Sequence, residues 1–413
     1  MVTEYLNINA FFDYDIKFER DDITPPAPCP TSTLPSLIEE LELSQSQFIA
    51  IPPEVLRVYS RFRPTPLFRA INFEKAIGTK SEIYIKDESK TPTGNHKINS
   101  AYLIAYLCMQ SGVRLITTET TGNWGVALAI ACREFGLESL SFLDSVSNLE
   151  RPRTRYDIET QGGNVRVVDC GEKYGDLLTL SAEAAIDYTV GIDQAAAYVF
   201  GSVYGYFIVA QSLMGLEARE QLALLGKTPD LVVGSCGGGA NLLGIAAPFI
   251  ADSLQGKWKG RIVSAESEKC PILSAGVLGW RSIDTSGYYP SIRTYGIPGL
   301  LDDEYIGGLG STIVAGGAAH YHRTGLIEAQ VINSSSALTA ARLFEKSEGI
   351  RVALETSYQL AAVVHEAKRP KKKIVLVNIS TGDNEALFYS RKPGQFVGRK
   401  EEESLSWTHL AST

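Results

Sequence analysis

Lys97 stands in the stretch TPTGNHKINSA (residues 91–101), next to His96 and directly before an apolar run with helical spacing. The start of a helix carries positive potential and prefers anions, so a lysine is unfavourable there as a plain surface charge. Positive potential and partial removal from water both lower the pKa of a lysine, and its amine becomes a nucleophile able to form a Schiff base. Taken alone, such a lysine is more often a solvated charge, so its interpretation depends on its neighbours.

The glycine-rich stretch SCGGGANLLG (residues 235–244) follows an apolar segment and opens another one. Adjacent glycines let backbone N–H groups converge, and a following helix N-terminus adds positive potential, which suits a phosphate. The stretch is not G-x-G-x-x-G, because Leu242 occupies the third glycine position, and no G-K-[ST] follows as in a Walker A loop. A flexible turn is the alternative. A phosphate cradle together with a Schiff-base lysine predicts pyridoxal phosphate as the cofactor.

Two further polar loops follow predicted strands. ETTGNWG (119–125) offers N–H groups for a substrate carboxylate, and the Asn123 side chain could reach a ring hydroxyl. A helix N-cap is an equally natural role for Asn123, and both can hold. NISTGDN (378–384) places Ser380 at a strand end, facing a pyridine nitrogen or else bonding to backbone. A neutral hydroxyl would leave that nitrogen unprotonated, which suits loss of an α-proton and of a β-substituent.

The elements that would position these loops alternate along the chain with short connections, which predicts a mainly parallel α/β fold. The length of 413 residues predicts two domains. Strand patterns cover 81–89, 113–119, 137–145, 164–169, 229–235, 260–267 and 372–380. Helical patterns cover 96–112, 123–136, 150–163, 202–226, 336–349 and 356–369. The proline-rich stretch 21–35 belongs to an N-terminal arm that we expect to wrap a partner domain or subunit.

Composition excludes several classes of protein. The net charge of −8 argues against a nucleic-acid or anionic-membrane partner, and the basic run KRPKKK (368–373) is interpreted as a solvated turn. Six cysteines without a C-x-x-C pair fit neither a metal site nor a disulfide framework. HYH (320–322) is interpreted as structural, so no metal site is predicted. The N-terminus does not resemble a signal peptide, and no apolar run approaches the roughly 20 residues of a membrane helix, so we expect a cytoplasmic protein.

From about residue 51 to residue 384 the chain resembles the β chain of tryptophan synthase, a fold type II pyridoxal-phosphate enzyme, and most of all its stand-alone second type. The motifs that carry this resemblance occur in the expected order: GNHKINSA, LITTETTGNWGVALA, FGSVYGYFIVAQSLMGLEA, PDLVVGSCGGGAN, ESEKCPILSAG, GLIEA and EGIRVALETS. The resemblance implies two interleaved three-layer α/β/α domains with mainly parallel sheets, and a homodimer. We therefore predict an arm (1–55), a large cofactor domain (56–95 and 206–395), a smaller mobile domain (96–205) and a polar tail (396–413).

The resemblance also implies roles for individual residues. Lys97 would be the Schiff-base lysine and Glu119 the group that assists departure of the serine hydroxyl. The other implied cofactor contacts are His96, Asn123, Ser202, Gly237, Gly238, Gly239, Ala240, Asn241, Glu355 and Ser380. The substrate carboxylate would be bound by Thr120, Thr121, Gly122, Asn123 and Trp124, and the acceptor pocket formed by Gly308, Leu309, Gly310 and Ser311. A monovalent cation is also compatible with the family, with no ligands fixed by the sequence.

Three stretches depart from the family pattern. The loop ETTGNWG is one residue shorter than the family's E-T-G-A-G-Q-[HW]-G, and its TTGN core resembles threonine synthases and hydroxyamino-acid dehydratases. IGGLGSTI (306–313) replaces A-G-G-L-R-Y-H-G, and STGDN replaces S-G-[RH]-G. Ala240 stands where the family usually has serine. The cofactor machinery is thus kept, whereas the parts that recognise the second substrate are changed.

These features predict a β-replacement enzyme that acts on serine or an O-activated serine through an aminoacrylate. Lys97 would remove and return the α-proton as the general base. Indole is the family's acceptor, but the changed loops make another small nucleophile plausible. β-Elimination of a hydroxyamino acid is the alternative. A catalytically inactive scaffold is a further alternative, disfavoured because Lys97, the glycine loop and Ser380 are all present.

Overall fold

The computed structural model describes residues 2–18, 34–169, 177–192, 195–285, 287–300 and 304–392. The predicted polar tail and most of the proline-rich part of the arm lie outside these residues. Strands occupy β1 (Glu4–Leu6), β2 (Ile16–Lys17), β3 (Phe48–Ala50), β4 (Leu67–Arg69), β5 (Glu82–Asp87), β6 (Leu115–Thr120), β7 (Glu138–Asp144), β8 (Asn164–Val168), β9 (Ala196–Tyr198), β10 (Leu231–Ser235), β11 (Arg261–Ser267), β12 (Val277–Arg281), β13 (Ser291–Gly296), β14 (Ile327–Ile332) and β15 (Ile374–Ile379).

Helices alternate with most of these strands. They are α1 (Ser36–Glu42), α2 (Pro53–Tyr59), α3 (Ile71–Ala76), α4 (Ile98–Gln110), α5 (Asn123–Phe135), α6 (Ser145–Glu150), α7 (Arg153–Thr160), α8 (Leu177–Gly191), α9 (Gly205–Leu224), α10 (Ala240–Leu254), α11 (Ile272–Ala275), α12 (Gly316–Arg323), α13 (Ser334–Glu348), α14 (Leu354–Ala367) and α15 (Ala386–Ser390). Within the described residues, no helix is long and apolar enough to cross a membrane.

The larger sheet has the strand order β14-β11-β10-β15-β5-β4. Its neighbours pair in parallel except for β4, which is antiparallel to β5. The buried runs of β10 and β15 lie at its centre, as expected for parallel strands covered on both faces. The carboxyl ends of β10 and β15 therefore lie side by side, which is where open α/β sheets bind ligands.

A second, wholly parallel sheet has the order β8-β7-β6-β9 and is formed by residues between 115 and 198. The two parallel sheets confirm the predicted fold class. The strands of the smaller sheet lie inside the predicted smaller domain, and those of the larger sheet on either side of it. The domain boundaries and the mobility of the smaller domain remain predictions.

Two predicted helices are shorter than expected. The helix predicted over 150–163 is α7, which begins only after Pro152 and ends at Thr160. The helix expected from residue 202 begins at Gly205, because Tyr204 N–H donates to the Ser202 carbonyl at 2.7 Å in a tight turn. Val203 at the centre of that turn has a φ of 64°, which is uncommon for a β-branched residue.

The described part of the N-terminal arm packs against the body of its own chain. Leu6 N–H donates to Ser212 Oγ on α9 at 2.9 Å, and β1 pairs with β3. The carboxylate of Glu42 is buried and accepts the N–H groups of Gly205 and Tyr206 at 3.1 and 2.6 Å. Glu42 thereby caps the first turn of α9 from a distant part of the sequence. No sequence motif indicated this contact, and the expected wrapping of a partner domain or subunit stays a prediction.

Candidate active site

The carboxyl ends of β6, β10 and β15 border a cleft. The predicted residues that line it are His96, Lys97, Glu119, Thr120, Thr121, Asn123, Trp124, Ser202, Gly237, Gly238, Gly239, Ala240, Asn241, Gly308, Leu309, Ser311, Glu355 and Ser380. Gly122 and Gly310 do not line it. Motifs almost 300 residues apart in the sequence thus meet at one site.

Lys97 is the N-cap residue of α4, and its backbone N–H donates to Asn95 Oδ1 at 3.0 Å. Its side chain is half-buried and lines the cleft. Removal from water lowers the pKa of its ammonium group, while the negative charges of Glu119 and Glu355 oppose that shift. The amine is therefore more easily deprotonated than that of an ordinary lysine, as a nucleophile or base requires.

His96 is held by Gln211 of α9, whose Oε1 lies 2.7 Å from the imidazole Nδ1. The amide nitrogen of Gln211 donates to Ser100 Oγ, which turns its oxygen towards the imidazole. Nδ1 therefore carries the proton and Nε2 is left as an acceptor. Burial lowers the pKa of His96 to about 4, so the ring is neutral near pH 7.

The glycine loop connects β10 to α10, with Gly239 at the N-cap and a φ of 97°. A Cβ at Gly237 would overlap the carbonyl oxygen of Gly308, and one at Gly238 would overlap Ser202 Oγ. The loop is thus a bare backbone cradle at a helix N-terminus, with a hydroxyl directly beside it. This donor set fits a phosphate group. Asn241 contributes to the loop itself, since its Oδ1 accepts Ser235 N–H at 3.2 Å.

Replacing Ser202 with alanine should weaken binding of pyridoxal phosphate by about 10- to 150-fold, because a hydrogen bond to a charged group contributes roughly 1.5–3 kcal/mol. Adding a hydroxyl back with A240S in the same chain should recover most of that affinity, because residue 240 starts α10 beside the same cradle. Equilibrium dialysis of the two variants and of A240S alone measures this. Equal affinity of wild type and S202A would exclude a phosphate contact by Ser202.

The loop between β6 and α5 is organised by Thr120. Its Oγ1 accepts the N–H groups of Gly122 and Gly125, both at 2.9 Å. Gly122 is the N-cap, with a φ of 135°, so the N-cap role for Asn123 was wrong. Asn123 is the first residue of α5, and its N–H and that of Trp124 have no acceptor within the helix. Those two donors at a helix N-terminus suit a carboxylate.

Trp124 contributes its backbone N–H to this site, and its side chain is packed rigidly beside it. Its indole N–H donates to Thr118 Oγ1 at 2.6 Å, and its ring packs edge-on against Phe207 at 5.1 Å. The side chain is 1% exposed. The ring therefore forms a wall of the cleft, and a Cβ at Gly201 would overlap it.

Glu119 is the penultimate residue of β6, and its carboxylate is buried. Its Oε2 accepts the Tyr198 hydroxyl at 2.5 Å and the Thr118 hydroxyl at 3.3 Å, and its Oε1 accepts Gly201 N–H at 3.0 Å. Burial raises the pKa of Glu119 to about 7, although these hydrogen bonds and the charge of Lys97 act in the opposite direction. A carboxyl group with this pKa can both give and take a proton near neutral pH.

Glu355 starts α14 and is held on two sides. Its Oε1 accepts Gly308 N–H at 2.7 Å and lies 3.1 Å from Arg151 Nη2, which also contacts Glu385 at 2.5 Å. Burial alone would raise the pKa of Glu355, but Arg151 and the Gly308 N–H outweigh it and lower that pKa. The pKa of Glu385 is raised by burial. Sequence reasoning missed Arg151 and Glu385, because neither belongs to a recognisable motif.

The floor of the cleft consists of neutral polar groups. Ser380 follows β15, and its N–H donates to Thr356 Oγ1 at 3.1 Å. Gln359 of α14 also lines the cleft, with its Nε2 3.3 Å from Ser235 Oγ. Neither Thr356 nor Gln359 was predicted, since both lie within an apolar helical pattern. A carboxylate at this place would favour protonation of a pyridine nitrogen. Neutral groups therefore suit a pyridine nitrogen that carries no proton.

The predicted acceptor pocket is only partly assembled. Leu309 and Gly308 line the cleft together with Phe200, which was not predicted. Ser311 also lines it, but its hydroxyl donates to the Ile313 carbonyl at 2.6 Å and is not free for a ligand. A Cβ at Gly310 would meet its nearest neighbours at 3.5 Å, so that position has room for a side chain.

The HYH stretch lies on α12, where alternate residues point in different directions. His320 stacks on Phe12 at 4.2 Å, and His322 Nδ1 lies 2.9 Å from the Ile327 carbonyl oxygen. Among the described residues, no group of three or more His, Cys, Asp or Glu side chains could hold a metal ion.

Known proteins match this chain over most of its length. A family model described as pyridoxal-phosphate dependent enzyme matches residues 58–381. Tryptophan synthase beta chain 2 of Thermotoga maritima is 36% identical over 352 residues, covering 82% of this chain and 83% of the relative. The tryptophan synthase beta chain of Fervidobacterium nodosum is 35% identical over 361 residues, covering 83% and 84%.

Solved structures agree on the fold. A pyridoxal 5'-phosphate-dependent aspartate racemase superimposes with a TM-score of 0.60 at 18% identity, covering 81% of this chain and 97% of that one. A fungal L-serine ammonia-lyase from Rhizomucor miehei superimposes with a TM-score of 0.61 at 18% identity, covering 78% and 95%.

Proposed function

Because the chain belongs to the fold type II pyridoxal-phosphate dependent enzymes, among relatives of the tryptophan synthase β chain, we propose that it catalyses a β-replacement. The substrate would be serine or an O-activated serine, whose β-substituent is exchanged for a small nucleophile. The observation that carries this proposal is the pair formed by Lys97 and Glu119, two proton-transfer groups that line one cleft.

The cofactor of this family is pyridoxal phosphate, and the residues of the cleft fit it. The backbone of the glycine loop and the Ser202 hydroxyl would hold the phosphate, and Ser380 would meet the ring nitrogen. His96 would lie on the phosphate side and Asn123 near the ring oxygen. When bound, the cofactor supplies the electron sink that lets a proton leave the α-carbon and a substituent leave the β-carbon.

Lys97 would bind the cofactor through Nζ and, once released by the substrate, carry the α-proton. Its lowered pKa leaves a larger share of the amine unprotonated near neutral pH, as a general base requires. The N–H groups of Asn123 and Trp124 would bind the substrate carboxylate at the start of α5. That contact would orient the α-carbon for Lys97.

Glu119 would handle the second proton. In its protonated form it can donate to the departing β-oxygen, and in its ionised form it can accept a proton from the incoming nucleophile. Its pKa of about 7 keeps both forms populated near neutral pH. This double role supports replacement rather than elimination. The shortened TTGN loop favours elimination as the second candidate, in which no nucleophile adds at the β-carbon and water hydrolyses the released enamine to a keto acid and ammonia.

Mass spectrometry of products tests this proposal. Holoenzyme is mixed with serine or O-acetylserine and a panel of nucleophiles, including indole, an aliphatic thiol and an amine. A new amino acid whose mass includes one nucleophile is the expected result, and its identity names the acceptor. If keto acid is the sole product whichever nucleophile is added, β-replacement is contradicted and the enzyme catalyses β-elimination.

The quaternary state and the monovalent cation remain proposals based on the family resemblance. We propose a homodimer, which analytical ultracentrifugation would show. Activity that is equal in sodium, potassium and caesium salts, and in a large organic cation, would exclude a cation requirement.

A further inference from the structure

The peptide between Phe200 and Gly201 lies beside the carboxylate of Glu119, and both of its polar ends are bound. Its N–H, from Gly201, donates to Glu119 Oε1 at 3.0 Å. Its carbonyl, from Phe200, accepts the hydroxyl of Tyr206 at 3.2 Å. The positive end of this peptide dipole therefore points at the carboxylate, which favours the ionised form of Glu119.

The Tyr206 hydroxyl has further hydrogen-bond partners within the protein. It accepts Phe200 N–H at 2.8 Å and lies 2.5 Å from the hydroxyl of Tyr289. Tyr206 and Tyr289 are both 0% exposed. Losing the Tyr206 hydroxyl would therefore leave the buried Phe200 carbonyl without this hydrogen bond, and would leave Phe200 N–H with a longer contact to the Tyr289 hydroxyl at 3.4 Å.

The chain between Phe200 and Tyr206 is held in an uncommon conformation. The turn centred on Val203 has a positive φ, and such a turn is rare and strained. Glu42 accepts Tyr206 N–H at 2.6 Å and holds the start of α9 just after this turn. The ring of Tyr206 is therefore fixed relative to the peptide that it contacts.

We propose that Tyr206 is a positioning residue for Glu119, acting through the Phe200–Gly201 peptide. It aims the Gly201 N–H at the carboxylate and so sets the pH at which Glu119 changes protonation. The inference deepens the proposed function, since it concerns the proton-transfer group of that reaction.

Other ionisable groups around Glu119 come from three elements. Lys97 lies at the start of α4, and Tyr198 is the direct hydroxyl partner on β9. Tyr204, the N-cap of α9, joins Tyr206; burial chiefly, and the negative charge of Glu119 to a smaller extent, raises the pKa of both phenols, which are therefore neutral near pH 7. A change in the titration of Glu119 must therefore be compared with a variant that disturbs the same tyrosines without touching the peptide.

The test is a carbon-13 NMR titration of holoenzyme labelled at the glutamate side-chain carboxyl carbon, with the Glu119 signal assigned by its absence in E119Q. Tyr206→Phe should raise the midpoint of Glu119 by about one pH unit, since it weakens a hydrogen bond to the charged form. Tyr289→Phe, which removes the group that holds the Tyr206 hydroxyl, should raise it by less. This second variant also tests the proposal if Tyr206→Phe does not fold.

Tyr204→Phe is the matched control. Its hydroxyl donates to the Pro290 carbonyl at 2.7 Å, and its ring stacks on Tyr206 at 6.0 Å, so it disturbs the same cluster. In this variant the titration midpoint of Glu119 should stay at the wild-type value. Unchanged midpoints in the Tyr206 and Tyr289 variants, or an equal rise in all three, would overturn the proposal. The titration needs no turnover, so a failure of β-replacement in the product assay would leave its result intact.

Discussion

Replacing Lys97 with alanine should lower the rate of product formation by roughly 10⁴-fold, the upper end of what acid–base catalysis contributes. The physical reason is that, in the proposed reaction, one amine would perform two tasks: it would bind the cofactor covalently and carry the α-proton. Its position at the start of α4, beside the glycine loop and Glu119 in one cleft, allows both tasks.

The same variant has a readout that does not depend on turnover. Borohydride should fix the cofactor irreversibly to wild-type protein at Lys97, and peptide mass spectrometry after denaturation should find it there. K97A should lose the cofactor on denaturation. Lys90→Ala, an exposed lysine at the end of the preceding 3-10 helix, should behave as wild type. Retention of reduced cofactor by K97A would place the anchor at another residue.

Replacing Glu119 with glutamine should lower turnover by about 10²–10³-fold, because it removes the carboxyl group proposed to donate and accept the second proton. The limb of the pH–rate profile near pH 7 should be absent in E119Q, since Glu119 has a pKa of about 7. Glu138→Gln, an exposed residue at the start of the neighbouring strand β7, is the control and should keep that limb. Survival of the limb in E119Q would assign it to another group.

Glu119 should also make stability depend on pH. Its pKa of about 7 in the folded protein exceeds the value of about 4.3 for an unfolded chain. The folded state therefore binds more protons, and the stabilising contribution present below about pH 4.3 is lost as the pH rises through about 7. Between about pH 5 and about pH 8, the melting temperature of wild type should fall relative to that of E119Q. A constant difference between the two would show that Glu119 does not titrate in this range.

The sequence predicted those parts of the site that are local. Lys97 and the glycine loop lie at junctions between a strand and a helix, where spacing and residue type suffice to indicate the chemistry. The parallel strands were predicted for the same reason, because each is a short apolar run between helical patterns. The antiparallel sheet of β12, β13 and β2 was missed, since β2 has only two residues and β12 is half-exposed.

Residues that act through long-range contacts could not be predicted. Arg151 follows a short helix, and only the folded chain shows that it binds Glu355 and Glu385. Tyr198 and Tyr206 lie in apolar surroundings, where a tyrosine is expected as a packing residue. Their hydroxyls acquire a role only when β9 and α9 come next to Glu119 and Phe200.

The position of β15 in the larger sheet has a consequence for how the chain folds during synthesis. β15 pairs with β10 and β5, and next to this pairing Lys373 N–H bonds to Ser81 Oγ, 292 residues earlier. At about 5–20 residues per second, a ribosome needs about 15–60 s to make that intervening chain. The smaller sheet is contiguous and can form early, whereas β5 can pair with β4 but lacks its other neighbour β15 until the carboxyl end emerges. The cleft therefore assembles last, and a nascent chain stalled before residue 374 would lack both Ser380 and the strand that closes the sheet.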